Sequence, residues 1–124
     1  MNISIWILFG ILFFHWLFDF CFQTDWQATN KSKSNKALLS HTGIYSLCWF
    51  IVAASYGTWK VNDFLGLEFM TITFICHTIT DYFTSRLNSK LWKEQKVHYF
   101  FVSVGFDQLL HYIQLVLTFY FLTN

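Results

Sequence analysis

Four long runs of mostly apolar residues constrain the fold of this chain more than any other feature. The runs cover residues 3–22, 37–56, 65–85 and 97–122. Each is close to the roughly 20 residues that a helix needs to cross the hydrocarbon core of a bilayer. The chain contains no proline that would break a run, and helices satisfy their own backbone hydrogen bonds in lipid. The sequence therefore predicts an all-α polytopic membrane protein, a four-transmembrane-helix bundle forming a single domain over residues 1–124.

The composition favours a membrane protein and excludes one class of partner. Hydrophobic residues make up 55% of the chain and charged residues only 12%, whereas about a quarter of a soluble domain is charged. The net charge of +1 and the lack of any recognisable binding motif argue against nucleic acid. We expect the lipid bilayer to be the main partner, and association of the chain with itself stays open.

The basic residues of the loops predict the orientation of the bundle. The loop of residues 24–36 carries three lysines, and the loop of residues 86–96 carries one arginine and three lysines. The loop between the second and third runs has only Lys60 next to Asp63. Because cytoplasmic loops are enriched in lysine and arginine, we expect loops 24–36 and 86–96 to be cytosolic and both termini to lie outside.

Three histidine–aspartate pairs interrupt the apolar runs. Each pair is separated by four positions, which places its two side chains on one face of a helix. An ionisable side chain in hydrocarbon costs about 2.5–3.5 kcal/mol, so the pairs should face the inside of the bundle. The pairs are His15 and Asp19, His77 and Asp81, and Asp107 and His111.

The predicted orientation brings these pairs and His41 into one layer in the cytosolic half of the bundle. Imidazole nitrogen and carboxylate oxygen are suitable ligands for a divalent metal, with zinc, manganese and iron as candidates. The alternative is that histidine and aspartate hydrogen-bond between helices without an ion. The predicted metal ligands are His15, Asp19, His77, Asp81 and His111, and the further polar residues near them are Gln23, Asp25, Ser85 and Gln108.

A metal-dependent hydrolase acting on a lipid or a phosphorylated substrate is the first functional hypothesis. A bound metal would lower the pKa of a water molecule towards about 7 and polarise a phosphoryl or acyl group. The predicted catalytic residues are His41 or Asp107 as general base, and Arg86, which together with the loop lysines would receive an anionic headgroup. The familiar hydrolase signatures, such as His-Glu-x-x-His and Gly-x-Ser-x-Gly, are absent from the sequence.

Two other functions use the same residues. Intramembrane histidine and aspartate can form an ion site or a proton relay in a transport protein. The mostly apolar outer half of the chain favours a site open on one side over such a path. The third alternative is a non-catalytic membrane subunit that binds or regulates a cytosolic partner.

The two halves of the chain share a short motif. His15-x-x-x-Asp-Phe in the first half matches His77-x-x-x-Asp-Tyr in the second. With two helices in each half, the match would describe a parallel repeat, or it is a chance similarity.

Four motifs in order carry a resemblance to a known family. They are His15-x3-Asp-Phe-x2-Gln-Thr-Asp-Trp26, Asn30-Lys-Ser-Lys-Ser-Asn-Lys-Ala-Leu-Leu-x-His41, His77-x3-Asp-Tyr-x3-Arg86 and Asp107-Gln-x2-His111. Over nearly its whole length the chain resembles domain of unknown function 3307, a family of uncharacterised bacterial and phage inner-membrane proteins. The resemblance implies four membrane helices in a bacterial inner membrane and an unassigned activity. The residues that it carries over are His15, Asp19, Gln23, Asp25, His41, His77, Asp81, Arg86, Asp107, Gln108 and His111.

Overall fold

The computed structural model describes residues 3–60 and 64–124. These residues form helices and short connections, without any strand, so the predicted all-α class is confirmed. Part of the predicted second loop, including Asp63, lies outside the described residues. The helices are α1 (Ile5–Trp16), which continues as a π-helical turn (Leu17–Cys21), α2 (Asp25–Asn30), α3 (Asn35–Lys60), α4 (Leu65–Lys93) and α5 (Val97–Thr123).

The short helix α2 lies inside the region predicted to be a plain loop. Its first turn has a capping box: the Thr24 hydroxyl accepts the Gln27 N–H, and the Gln27 side-chain carbonyl accepts the Thr24 N–H. Such an exchange satisfies backbone donors that a helix start otherwise leaves free. The buried Gln27 amide also donates to the Ser40 hydroxyl at 2.9 Å, which fastens α2 to α3.

Each long helix packs against its neighbour in the chain from α3 to α5, and α1 closes the bundle against α5. α3 contacts α4, α4 contacts α5, α1 contacts α5, and the π-helical turn contacts α3. One close approach between α3 and α4 depends on glycine, since a Cβ added to Gly66 would lie 2.6 Å from the Ala54 Cβ. An apolar core that includes Ile11, Trp49 and Phe69 holds this end of the bundle together.

The outward faces of all four long helices are apolar. Phe9 and Phe13 on α1 and Ile75 and Ile79 on α4 are each more than half exposed, and α3 and α5 expose similar rows. Contiguous apolar surfaces of this extent are unusual on soluble monomers and mark contact with a membrane or a partner. The bundle therefore has an apolar exterior.

Among the described residues, two helices, rather than the four predicted, meet the length and hydropathy expected of a membrane span. They are residues 35–58 of α3 and the whole of α5. The apolar helix formed by α1 and its π-helical turn is shorter. Within α4, Glu68, His77 and Asp81 accompany a series of threonines, which lowers its hydropathy. α4 also continues to Lys93, well beyond the end predicted at residue 85.

Candidate metal centre

Seven ionisable side chains are buried together where α1, α3, α4 and α5 meet. None is more than 8% exposed. A buried charge without a partner costs several kcal/mol, so these groups must satisfy one another or bind an ion. They are His15 on α1, Asp19 on the π-helical turn, His41 on α3, His77 and Asp81 on α4, and Asp107 and His111 on α5.

Four of these side chains point one ligand atom each at a common centre. The His41 Nε2 lies 3.0 Å from the Asp19 Oδ1 and 3.4 Å from the Asp81 Oδ2. The His77 Nε2 lies 3.4 Å from the same Asp19 oxygen and 3.6 Å from the same Asp81 oxygen. The two Nε2 atoms are 3.3 Å apart, and all four atoms lie within 4.8 Å of one another. We call Asp19, His41, His77 and Asp81 the four-ligand group.

The spacing within the four-ligand group fits a tetrahedral ion. Bonds of about 2.0–2.1 Å from a tetrahedral metal hold its ligand atoms about 3.3 Å apart. The five separations given above run from 3.0 to 3.6 Å. Hydrogen bonding alone accounts less well for this convergence, because two imidazole nitrogens that face each other can share only one hydrogen. The side chains present therefore suit a divalent metal.

A second group shares Asp81 with the first. The His111 Nε2 lies 3.1 Å from the Asp81 Oδ1 and 3.4 Å from the Asp107 Oδ1, and the three side chains could hold an ion. Three protein ligands leave a coordination position free, as in catalytic zinc sites. Asp81 thus presents one carboxylate oxygen to each group, and we call Asp81, Asp107 and His111 the three-ligand group.

A π-helical turn positions Asp19. The Phe22 N–H donates to the Leu17 carbonyl at 3.0 Å, which closes a turn one residue wider than in an α-helix. Single π-helical turns within α-helices occur often at functional sites. Here the turn carries the Asp19 carboxylate to within hydrogen-bonding distance of His41 on α3.

His15 lies outside both groups, although its spacing predicted a metal ligand. The Tyr45 hydroxyl donates to the His15 Nδ1 at 2.7 Å, and the His15 Nε2–H donates to the Gln108 side-chain carbonyl at 2.8 Å. Both ring nitrogens are therefore occupied, and the Nε2 stays 3.6 Å from the Asp19 Oδ2. In this arrangement His15 contacts the centre through Gln108, and its role as a ligand stays a prediction.

Hydrogen bonds from neighbouring side chains orient Asp107. The Thr84 hydroxyl donates to the Asp107 Oδ1 at 2.6 Å, and the Gln108 amide donates to the Asp107 Oδ2 at 3.0 Å. The same amide lies 3.5 Å from the Asp19 Oδ2. Outer hydrogen bonds of this kind fix the direction of metal-binding groups. Gln108 thus connects the two groups, whereas the sequence analysis placed it only near them.

Lys31 is part of the centre and was not predicted. Its ammonium lies 2.9 Å from the Asp81 Oδ2, and its side chain is only 20% exposed. Burial by itself would lower the pKa of Lys31, but the Asp81 and Asp19 carboxylates hold that pKa above its ordinary value. A lysine in an Asn/Lys/Ser-rich connection carries no local signal of such a contact.

Arg86 does not reach the cluster, despite its predicted catalytic role. Its guanidinium lies 3.7 Å from the centre of the Tyr82 ring and donates to the Asn35 side-chain carbonyl at 3.1 Å. Asp25 is also remote, being exposed in the first turn of α2. A negative charge in the first turn stabilises the helix through its favourable interaction with the helix dipole.

Two other predicted residues have buried oxygens that find no hydrogen-bond partner within the described part of the chain. They are the side-chain carbonyl of Gln23 and the hydroxyl of Ser85. Buried polar atoms are normally paired. Ser85 lies one turn beyond Asp81 on α4, on the side of the cluster that faces the α2–α3 connection.

These features define an all-α protein with helices long and apolar enough to cross a membrane and a buried His/Asp cluster able to hold a metal. The chain belongs to the family described as Protein of unknown function (DUF3307), whose model matches residues 7–124. This membership confirms the resemblance of the sequence motifs. No curated protein and no solved structure matches the chain.

Proposed function

We propose that this chain is an integral membrane protein whose two ligand groups form a divalent-metal centre that hydrolyses a phosphorylated substrate. The observation that carries the proposal is the shared carboxylate of Asp81, whose Oδ2 faces the four-ligand group and whose Oδ1 faces the three-ligand group. Paired metal ions about 3.5–4 Å apart are common in enzymes that cleave phosphate esters.

The apolar exterior supports a bundle in which α1 and α4 cross the membrane together with α3 and α5. The polar interior at one end then lies at the membrane surface beside the basic connections of residues 24–36 and 86–96. A small bundle of this kind buries its ionisable groups among its own helices, as the cluster does here. The bacterial inner membrane is the location we propose, with these connections in the cytosol.

His41 and Asp107 have different roles in the proposed reaction. His41, which the sequence analysis assigned as a base, belongs to the four-ligand group. The Asp107 carboxylate would hold an ion of the three-ligand group through its Oδ1, and its Oδ2 would accept a proton from the attacking water. When bound, the metal lowers the pKa of that water and stabilises charge on the phosphoryl group. As the water oxygen bonds to phosphorus, the P–O ester bond would break, and Asp107 would pass the proton to the leaving alcohol.

Elemental analysis of the purified protein tests the metal centre. We expect about two equivalents of zinc, manganese or iron in the wild type, and loss of metal in the His77→Ala/Asp81→Ala variant. The matched control is His98→Ala/Asp25→Ala, which removes the same residue types from exposed positions. Hydrolysis of a phosphomonoester that follows the metal content would support the enzyme, and a metal-free wild type after gentle purification would contradict the proposal.

Ion transport is a second candidate, supported by one observation. The Gln114 amide donates to the Thr73 hydroxyl at 3.2 Å and to the Thr118 hydroxyl at 3.0 Å. These polar side chains continue from His111 along α5 towards the apolar end of the bundle. Metal-dependent ion flux into proteoliposomes, lost in Gln114→Leu while metal stays bound, would favour transport over hydrolysis.

A further inference from the structure

A groove beside the metal centre is lined by three lysines. It lies between the α2–α3 connection, the end of α4 and the start of α5. Lys31 and Lys33 line one side, and Lys93 lines the other. Among the described residues that line the groove, none is acidic. The groove therefore concentrates positive charge close to Asp81.

A buried hydroxyl in the wall of the groove lacks a partner. Ser85 is 9% exposed, and its Oγ makes no hydrogen bond in the described structure. A hydroxyl can donate to an anionic oxygen, and such charge-assisted bonds are stronger than those between neutral groups. The ammonium groups of Lys33 and Lys93 and the Ser85 hydroxyl are suited to a phosphate group.

Lys31 connects the groove to the metal centre. Its ammonium contacts the Asp81 Oδ2 at 2.9 Å while its side chain lines the groove. A ligand in the groove thus lies one lysine side chain away from an oxygen that both ligand groups need. The aromatic side chains of Trp92, Phe100 and Phe101, on α4 and α5, form an apolar wall of the groove.

We propose that this groove binds the phosphate group of a phosphomonoester and presents it to the metal centre. The ammonium groups of Lys33 and Lys93 hold the phosphate oxygens with the Ser85 hydroxyl, and the aromatic wall contacts the rest of the ester. The inference rests on the proposed hydrolase for its chemical purpose, whereas the binding itself can be measured separately. The same chemistry would come from a membrane lipid that carries a terminal phosphate or from a soluble phosphomonoester.

Equilibrium binding of two probes to the full chain in nanodiscs tests the proposal. The probes are octyl phosphate and inorganic phosphate, each measured with metal-loaded and with chelator-treated protein. We expect Lys33→Ala/Lys93→Ala to weaken phosphate binding by at least about tenfold, because each lysine provides a charge-assisted hydrogen bond to the phosphate. The matched control, Lys36→Ala/Lys96→Ala, removes two lysines outside the groove and should leave binding unchanged.

The two probes distinguish the sources of the phosphate. Octyl phosphate binding much more tightly than inorganic phosphate, with the difference lost in Phe100→Ala/Phe101→Ala, indicates a lipid-like ester. Equal binding of both probes indicates a soluble phosphate. Binding of neither probe, or equal loss in the groove variant and its control, overturns the proposal.

Metal content measured on the same samples separates this inference from the proposed function. Lys33→Ala/Lys93→Ala should retain the metal of the wild type, because neither lysine contacts a ligand group. Phosphate binding to a wild-type protein that is found to contain no metal would support the groove and contradict the metal centre.

Discussion

The ammonium of Lys31 and the carboxylate of Asp81 form an ion pair of 2.9 Å between residues that are fifty positions apart. Asp81 is at the same time the carboxylate that the two ligand groups share. The connection between α2 and α3 is therefore tied to the centre of the bundle, and a positive charge already neutralises Asp81 without a metal.

Replacing Lys31 by methionine should destabilise the protein most when it is free of metal. Removing one partner of a buried ion pair costs about 3–5 kcal/mol, and we expect about half of that because Lys31 is 20% exposed. Thermal unfolding of the chelator-treated protein measures the effect, with Lys36→Met as control. Added metal should restore most of the loss, because the ion would take over the charge of Asp81. Equal melting of Lys31→Met and Lys36→Met without metal would contradict this assignment.

Replacing His15 by alanine should weaken metal binding without abolishing it. His15 acts through Gln108, and loss of such an outer partner typically lowers metal affinity about 10- to 100-fold. His77→Ala removes a ligand of the four-ligand group and should weaken binding there far more, because a direct ligand is lost. Competition with a chelating dye measures both affinities. If His15→Ala behaves like His77→Ala, then His15 is a ligand after all.

Replacing Gly66 by alanine should loosen the contact between α3 and α4. The new methyl group would lie 2.6 Å from the Ala54 Cβ, and overpacking of this kind costs about 1–3 kcal/mol. Gly43→Ala is the control, because a Cβ at that helical position meets nothing within 4 Å. Unfolding in mild detergent should separate the two variants, and unchanged stability of Gly66→Ala would show that the helices can shift apart.

Cysteine labelling tests the proposed orientation. In a chain whose Cys21, Cys48 and Cys76 are replaced, a cysteine at Lys36 should resist a membrane-impermeant reagent added to intact cells. A cysteine at Asn124 should react, because the rule of positive cytoplasmic loops puts the C-terminus outside. The reverse pattern of labelling would show that the bundle has the opposite orientation in the membrane.

Helical spacing accounts for the part of the site that could be predicted from the sequence. Four-residue spacing placed His77 and Asp81 on one face of α4, and both belong to the four-ligand group. The same spacing predicted His15 as a ligand, but spacing fixes only the helix face of a residue and not the partners that its ring nitrogens find on other helices. Tyr45 and Gln108 take those nitrogens.

Contacts between distant parts of the chain explain most of what sequence reasoning missed. Lys31 lies in a polar connection whose composition predicts exposure to solvent. The packing of α2 on α3 brings Lys31 to Asp81. The π-helical turn at Asp19 has no local marker such as proline or glycine. The start of α2 did carry a signal, since Thr24 and Gln27 have the spacing of a capping box.

The stoichiometry of bound metal in single variants tests most directly whether Asp81 is shared by two ions. We expect about two equivalents in the wild type, about one tightly bound equivalent in His111→Ala, and at most one, bound more weakly, in Asp81→Asn, because Asp81 belongs to both groups and its loss leaves three ligands in one and two in the other. Asp25→Asn should match the wild type. Full metal content in Asp81→Asn, or a wild type that binds none, would contradict the account.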